Sequence, residues 1–188
     1  MSSITVGTWL LKCLEANGIS QAFGIPGVHN IELYRGLPQT GIRHIGGRHE
    51  QGLGFMADGY ARAGDAMAAC FTITGPGLTN ISTAMAQAYA DSVPMLVVAS
   101  QNRRGEAGSG RGFLHEMPDQ CALAAQVSGF AHSLATVQEL PEVLARAFAS
   151  LSGVRRRPAY LEIPRELFGA DASMLALPAA PAPPLAGA

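Results

Sequence analysis

Three short stretches of the chain combine residue types that could do chemistry, and each begins where an apolar run ends. In Arg48-His49-Glu50-Gln51-Gly52 a carboxylate opens a helical pattern directly after a strand-like run. That places Glu50 at the carboxyl edge of a sheet, where open α/β sheets hold ligands. The apolar neighbours Gly52, Leu53, Phe55 and Met56 would raise its pKa and suit it to proton donation. A first-turn carboxylate also complements the helix dipole, so the position alone supports either reading. In Thr74-Gly75-Pro76-Gly77-Leu78-Thr79-Asn80 the order is G-x-G-x-x-N. A dinucleotide-binding turn would carry a third glycine in place of Asn80 and an acid in place of Ala99-Ser100-Gln101. The turn still offers backbone N–H groups and a threonine hydroxyl, enough to cradle a small polar ring. In Gly24-Ile25-Pro26-Gly27 a third tight turn runs into Val28 and His29. His29 and His115 fall in loops and are placed to face the same edge, whereas His44 and His132 fall in strand candidates. The sequence has no Ser-His-Asp signature, nucleophile elbow, Walker loop or metal-ligand cluster.

The elements that must position these groups can be read from spacing. Val6, Trp9, Leu10, Cys13 and Leu14 recur at helical intervals and stop at Asn17-Gly18, predicting an amphipathic helix over 5–17. Strands are expected at 21–25, 43–46, 68–73, 95–99, 130–133 and 159–163, with helices at 30–36, 50–63, 78–91 and 140–151. Small residues in the 50–63 helix, among them Gly54, Ala57 and Ala61, imply close packing. Residues 102–120 are rich in glycine and charge without periodicity, so they read as a long loop of the kind that usually serves function. Apolar strands alternating with helices imply a doubly wound α/β fold, with a six-stranded, mainly parallel sheet and helices on both faces. The expected domain is 1–172, followed by an Ala/Pro-rich linker over 173–188.

Composition narrows the function classes. The chain has 188 residues, 48% hydrophobic and 14% charged, with a formal charge of −1. That describes one compact domain. Beyond Arg103-Arg104 and Arg155-Arg156-Arg157 there is no basic cluster, which argues against a nucleic-acid partner. No apolar run approaches the ~20 residues of a membrane span and no leader pattern opens the chain, so a cytoplasmic protein is expected. Cys13, Cys70 and Cys121 are widely spaced in apolar settings and read as buried thiols rather than a redox or zinc set.

Phe23-Gly24-Ile25-Pro26-Gly27, Arg48-His49-Glu50-Gln51-Gly52, Met56 to Arg62, Thr74 to Asn80 and Ala88 to Met95 together resemble the N-terminal pyrimidine-binding (PYR) domain of thiamine diphosphate enzymes. The resemblance lies with the acetolactate synthase and 2-oxoacid decarboxylase group. The stretches Gly27 to Leu37 and Leu114 to Gln120 are most similar to 5-guanidino-2-oxopentanoate (2-ketoarginine) decarboxylases. The resemblance implies that Glu50 exchanges a proton with N1′ of the cofactor's aminopyrimidine, which leads to deprotonation of C2 and lets the cofactor act as electron sink. It further implies that Pro26, Gly27, Thr74 and Asn80 shape the pyrimidine pocket. Val28, His29 and His115 would meet a small 2-oxoacid.

Two departures limit the carry-over. The adjacent histidine pair of the pyruvate-decarboxylase branch is absent from 102–120, where His115 stands alone. The Gly-Asp-Gly and Asn-Asn motif that holds Mg²⁺ and diphosphate in a C-terminal domain is also absent. The chain is therefore expected to form one half of a thiamine diphosphate site and to be inactive by itself. A further domain or subunit would bind Mg²⁺ and diphosphate, within a homo-oligomer, dimer or tetramer. The choice between decarboxylase and acetohydroxyacid synthase, and any need for FAD, stay open. So does a non-catalytic dimerisation or regulatory domain that keeps this fold.

Overall fold

The computed structural model describes residues 4–64 and 66–177. Helix α1 (Val6–Ala16) begins where the Thr5 hydroxyl accepts from Thr8 N at 3.3 Å, and it buries Val6, Trp9, Leu10, Cys13 and Leu14. It stops at Asn17 and at Gly18, whose φ is +84°, the stop its sequence announced. There follow β1 (Gln21–Gly24), α2 (Ile31–Tyr34), a 3₁₀ turn (Leu37–Gln39), β2 (Arg43–Gly46), α3 (Glu50–Gly64), β3 (Ala68–Thr72) and α4 (Pro76–Asp91). Then come β4 (Met95–Gln101), α5 (Gln120–Ala125), β5 (Phe130–Ser133), α6 (Leu140–Ser152), β6 (Ala159–Pro164) and α7 (Arg165–Phe168).

The six strands form one sheet in the order β2-β1-β3-β4-β6-β5, and every neighbouring pair is parallel. The fold is the expected doubly wound α/β type. β3, β4 and β6 are buried at every position, which is why they read as mainly apolar runs, with Ser100, Gln101 and Glu162 among the buried polar exceptions. One core lies on the face covered by α1, α6 and α7, around Trp9, Leu14, Phe71, Leu161 and Phe168. The other lies under α3, α4 and α5, around Leu53, Ile81, Met85, Val97 and Tyr160. Gly54 lets α3 and α4 approach, since a Cβ there would sit 2.6 Å from Ala84 Cβ. From β1 the chain steps outward to β2 and then returns past β1 to β3. The strand order reverses at that point, and ligand crevices open there at the carboxyl ends.

The two ends of the sheet domain are clasped together. Val6 N donates to Ala170 O at 2.9 Å, Ala172 N donates to Ile4 O at 2.8 Å, and Thr5 bridges Asp171. Of the segment read as a linker, Leu175 packs against the core, whereas 178–188 lie outside the described residues.

Some details depart from the sequence reading. α4 starts at Pro76 rather than at 78, because proline's fixed φ suits a first helical position. Residues 120–125, for which the sequence announces no helix, form α5, capped by Asp119 Oδ1 accepting from Ala122 N at 2.9 Å. Gly52, Phe55 and Met56 do not surround Glu50; they lie on the exposed side of α3, with Phe55 at 41% and Met56 at 48% exposure. On a helix the neighbours of residue 50 are 53 and 54, not 52, 55 or 56. No helix among the described residues is long and apolar enough to cross a membrane.

Candidate active site

Glu50 is the first residue of α3 and is 8% exposed. Its Oε2 accepts a hydrogen bond from Asn80 Nδ2, on the facing helix α4, at 2.8 Å. Its other oxygen accepts none among the described residues. The bond fixes the rotation of the carboxylate and leaves one oxygen free to receive or give a proton.

The turn after β1 is tied by Asn30, whose Oδ1 accepts from Gly27 N at 2.8 Å and whose Nδ2 donates to Ile25 O at 3.3 Å. This delivers His29 inward and Val28 outward, at 3% and 74% exposure. Pro26 is exposed and Gly27 half-buried. His29 Nδ1 meets Thr74 Oγ1 at 2.9 Å, while its Nε2 is buried without a hydrogen-bond partner among the described residues. Burial, then Arg165 and His115, push the imidazole pKa down against the opposing pull of Glu106, so the ring is held neutral.

The loop after β4 closes over the turn after β3. Gly75 has φ +64° and ψ −104°, and a Cβ on it would lie 2.2 Å from the His115 carbonyl oxygen. Only glycine tolerates both the dihedral and the approach. Gln120 fastens the same junction: its Oε1 accepts from Gly75 N at 3.0 Å and its Nε2 donates to Ser100 O at 2.9 Å. His115 itself sits at φ +59° with its ring edge-on to His29, centroids 5.9 Å apart. Its neighbour Glu116 knits the loop by accepting from Ser109 Oγ, Gly110 N, Gly112 N and Phe113 N at 2.6–3.0 Å.

The residues nominated from sequence thus form two contacting sets at the carboxyl edge, Glu50 with Asn80 and His29 with Thr74 and His115. Pro26 and Val28 carry no polar side-chain atom and border the edge by position alone. Sequence reasoning passed over Asn30, Ser100 and Gln120. The available signal was Asn30 itself, a residue favoured in turns because its short side chain can bond nearby backbone. No cluster of three or more metal-ligating side chains occurs among the described residues. The edge is suited to a small polar heteroaromatic ring. It offers one oxygen of a buried carboxylate and an imidazole nitrogen, neither of which has a hydrogen-bond partner among the described residues.

Comparison with known proteins supplies the family. The family described as "Thiamine pyrophosphate enzyme, N-terminal TPP binding domain" matches residues 4–123. A probable 2-ketoarginine decarboxylase of Pseudomonas aeruginosa is 50% identical over 168 residues, covering 89% of this chain and 30% of that protein. The large subunit of acetolactate synthase isozyme 1 of Escherichia coli is 34% identical over 164 residues, covering 87% of this chain and 29% of that subunit. A probable acetolactate synthase large subunit of Methanocaldococcus jannaschii is 31% identical over 158 residues, 84% of this chain and 26% of that subunit. The chain therefore spans less than a third of the length of these relatives.

Proposed function

We propose, for a chain that belongs to the thiamine pyrophosphate enzymes as their N-terminal TPP binding domain, that it supplies the aminopyrimidine half of a thiamine diphosphate site in a 2-oxoacid decarboxylase or acetolactate-synthase-like enzyme. The observation that carries this reading is the Glu50–Asn80 pair, a buried carboxylate with one oxygen pinned and one free. When bound, the cofactor supplies a carbon nucleophile and an electron sink for the bond to the departing carboxylate. Glu50 exchanges a proton with the N1′ nitrogen through its free oxygen. Asn80 keeps that oxygen oriented. Pro26, Gly27 and Thr74 border the ring, and Val28, His29 and His115 meet a small 2-oxoacid. The P. aeruginosa relative makes a guanidino 2-oxoacid the first substrate to try. On this reading Mg²⁺ and the diphosphate are held by another domain or subunit, in a cytoplasmic homo-oligomer, and no FAD contact is assigned to these residues.

The test is Glu50→Gln in enzyme reconstituted with its diphosphate-binding partner. Loss of the relay should lower kcat by about 10²–10⁴-fold. A purely structural first-turn carboxylate would change stability by ~0.3–1 kcal/mol and leave turnover nearly alone. Undiminished turnover and C2–H exchange would refute the assignment.

A further inference from the structure

His29, Thr74 and Ser100 form a buried row at the carboxyl ends of β3 and β4, with His29 3% exposed and the other two 0%. His29 Nδ1 lies 2.9 Å from Thr74 Oγ1, and Thr74 Oγ1 lies 3.3 Å from Ser100 Oγ. Each hydroxyl carries one proton, and the neutral ring carries one on either nitrogen. The protons can fill this row in three ways. In the first, Ser100 donates to Thr74, Thr74 donates to Nδ1, and the ring proton sits on Nε2. Every donor in the row is then used except Nε2–H. In the second, Nδ1–H donates to Thr74 and Thr74 donates to Ser100. The Ser100 proton then has no acceptor among the described residues, and the Nε2 lone pair is unpaired as well. In the third, Nδ1–H and Ser100 both donate to Thr74, which leaves the Thr74 proton and the Nε2 lone pair without partners among the described residues; one buried group is orphaned in the first arrangement and two in each of the others. Buried orphans are disfavoured, so the first arrangement wins.

We propose that Thr74, backed by Ser100, is a positioning residue that fixes His29 as its Nε2–H tautomer, making the imidazole a neutral hydrogen-bond donor to an oxygen of the 2-oxoacid. The substrate half of this rests on the reading of His29 given above; the tautomer does not. A ring protonated at Nε2 cannot take a proton there. It can only offer one to a carbonyl or carboxylate oxygen. The charged and titratable groups around it, Arg165, His115 and Glu106, come from β6–α7 and the 102–119 loop and do not touch Nδ1.

The tautomer is read without any ligand, by two-bond ¹H–¹⁵N correlation spectra of the ¹⁵N-labelled 188-residue chain near pH 8, with His29→Gln identifying the signals. The expected spectrum has a protonated, pyrrole-like Nε2 and a bare, pyridine-like Nδ1. Thr74→Val, or Thr74→Ala should valine fail to fold, should move the two nitrogens toward a mixed population, and Thr74→Ser should restore the wild-type pattern. A wild-type ring protonated at Nδ1 overturns the proposal, as does a Thr74→Val spectrum identical to wild type. The substrate half is read separately in reconstituted enzyme with pyruvate and a guanidino 2-oxoacid. Thr74→Val should raise KM about tenfold, the equivalent of one hydrogen bond, with rescue by Thr74→Ser. A shifted tautomer with unchanged KM overturns the donor role while leaving the positioning role standing.

Discussion

Replacing Gly75 by alanine should damage this domain in a way that replacing a mid-helix glycine such as Gly59 does not. Gly75 combines φ +64° with ψ −104°, and its missing Cβ would lie 2.2 Å from the His115 carbonyl oxygen and 3.1 Å from that carbonyl's carbon. Holding a non-glycine residue at such dihedrals costs about 1–3 kcal/mol. The close contact adds to this, because the atom met is backbone and the loop carrying His115 must back away. Together these give roughly 2–4 kcal/mol, a fall in Tm of roughly 4–16 °C for a domain of this size. Gly59, in mid-α3, is the matched control. Nothing lies within 4 Å of a Cβ there, so Gly59→Ala should stabilise by ~0.5–1 kcal/mol. Calorimetric melts of the two variants give the signs. Limited trypsin digestion, scored at Arg103, Arg104 and Arg111 in the loop, shows whether the loop has lifted. A Gly75→Ala chain with wild-type Tm and wild-type cleavage would refute the docking of this loop on the turn after β3.

Burial pushes the Glu116 carboxyl up, but the hydrogen bonds from Ser109 and from Phe113, Gly110 and Gly112 outweigh it and hold the group below the usual carboxylate range. A depressed folded pKa contributes stability above the unfolded value of about 4.3 and loses it as the pH falls through the folded one. The amide signals of Gly110, Gly112 and Phe113 should therefore lose protection from hydrogen exchange in acid, and Glu116→Gln should abolish that dependence; pH-indifferent amides would count against the network. Burial pushes the thiols of Cys13 and Cys70 up to about 12, and burial with Glu162 and Asp119 does the same for Cys121. Iodoacetamide at pH 8, followed by mass spectrometry, should leave Cys70 unlabelled until the chain unfolds, because the thiolate is the reacting form. Fast native labelling of Cys70 would contradict its burial.

Most of the sheet was legible in the sequence because its central strands are buried on both faces. Residues 68–72 and 95–101 are apolar nearly throughout, and helical periods separate them. The short elements were not legible. α5 has only Asp119 to announce it, and the four residues of α7 turn on Pro164 without a period to detect. Glu50 and Asn80 were each nominated from a local pattern, but nothing local says that residues thirty apart share a hydrogen bond. Nothing local in the sequence announces the hydrogen bonds of Ser100 and Gln120. Their roles arise only when β4 is laid beside β3 and the long loop folds back, which is tertiary information. The reading of Phe55 and Met56 as surroundings of Glu50 failed because nearness in sequence was taken for nearness on a helix, where 100° separates successive side chains.

The clasp between residues 4–6 and 170–172 gives the fold the topology of a nearly closed ring. A backbone whose entry and exit meet at one point can be lifted out and set into another gene as a cassette, because whatever is joined to it pulls at a single place rather than across the sheet. A short peptide joining the two ends would complete the ring without disturbing any strand pairing. New ends could then be opened at the exposed 153–155 turn between α6 and β6, the sort of surface tip where permuted chains are tolerated.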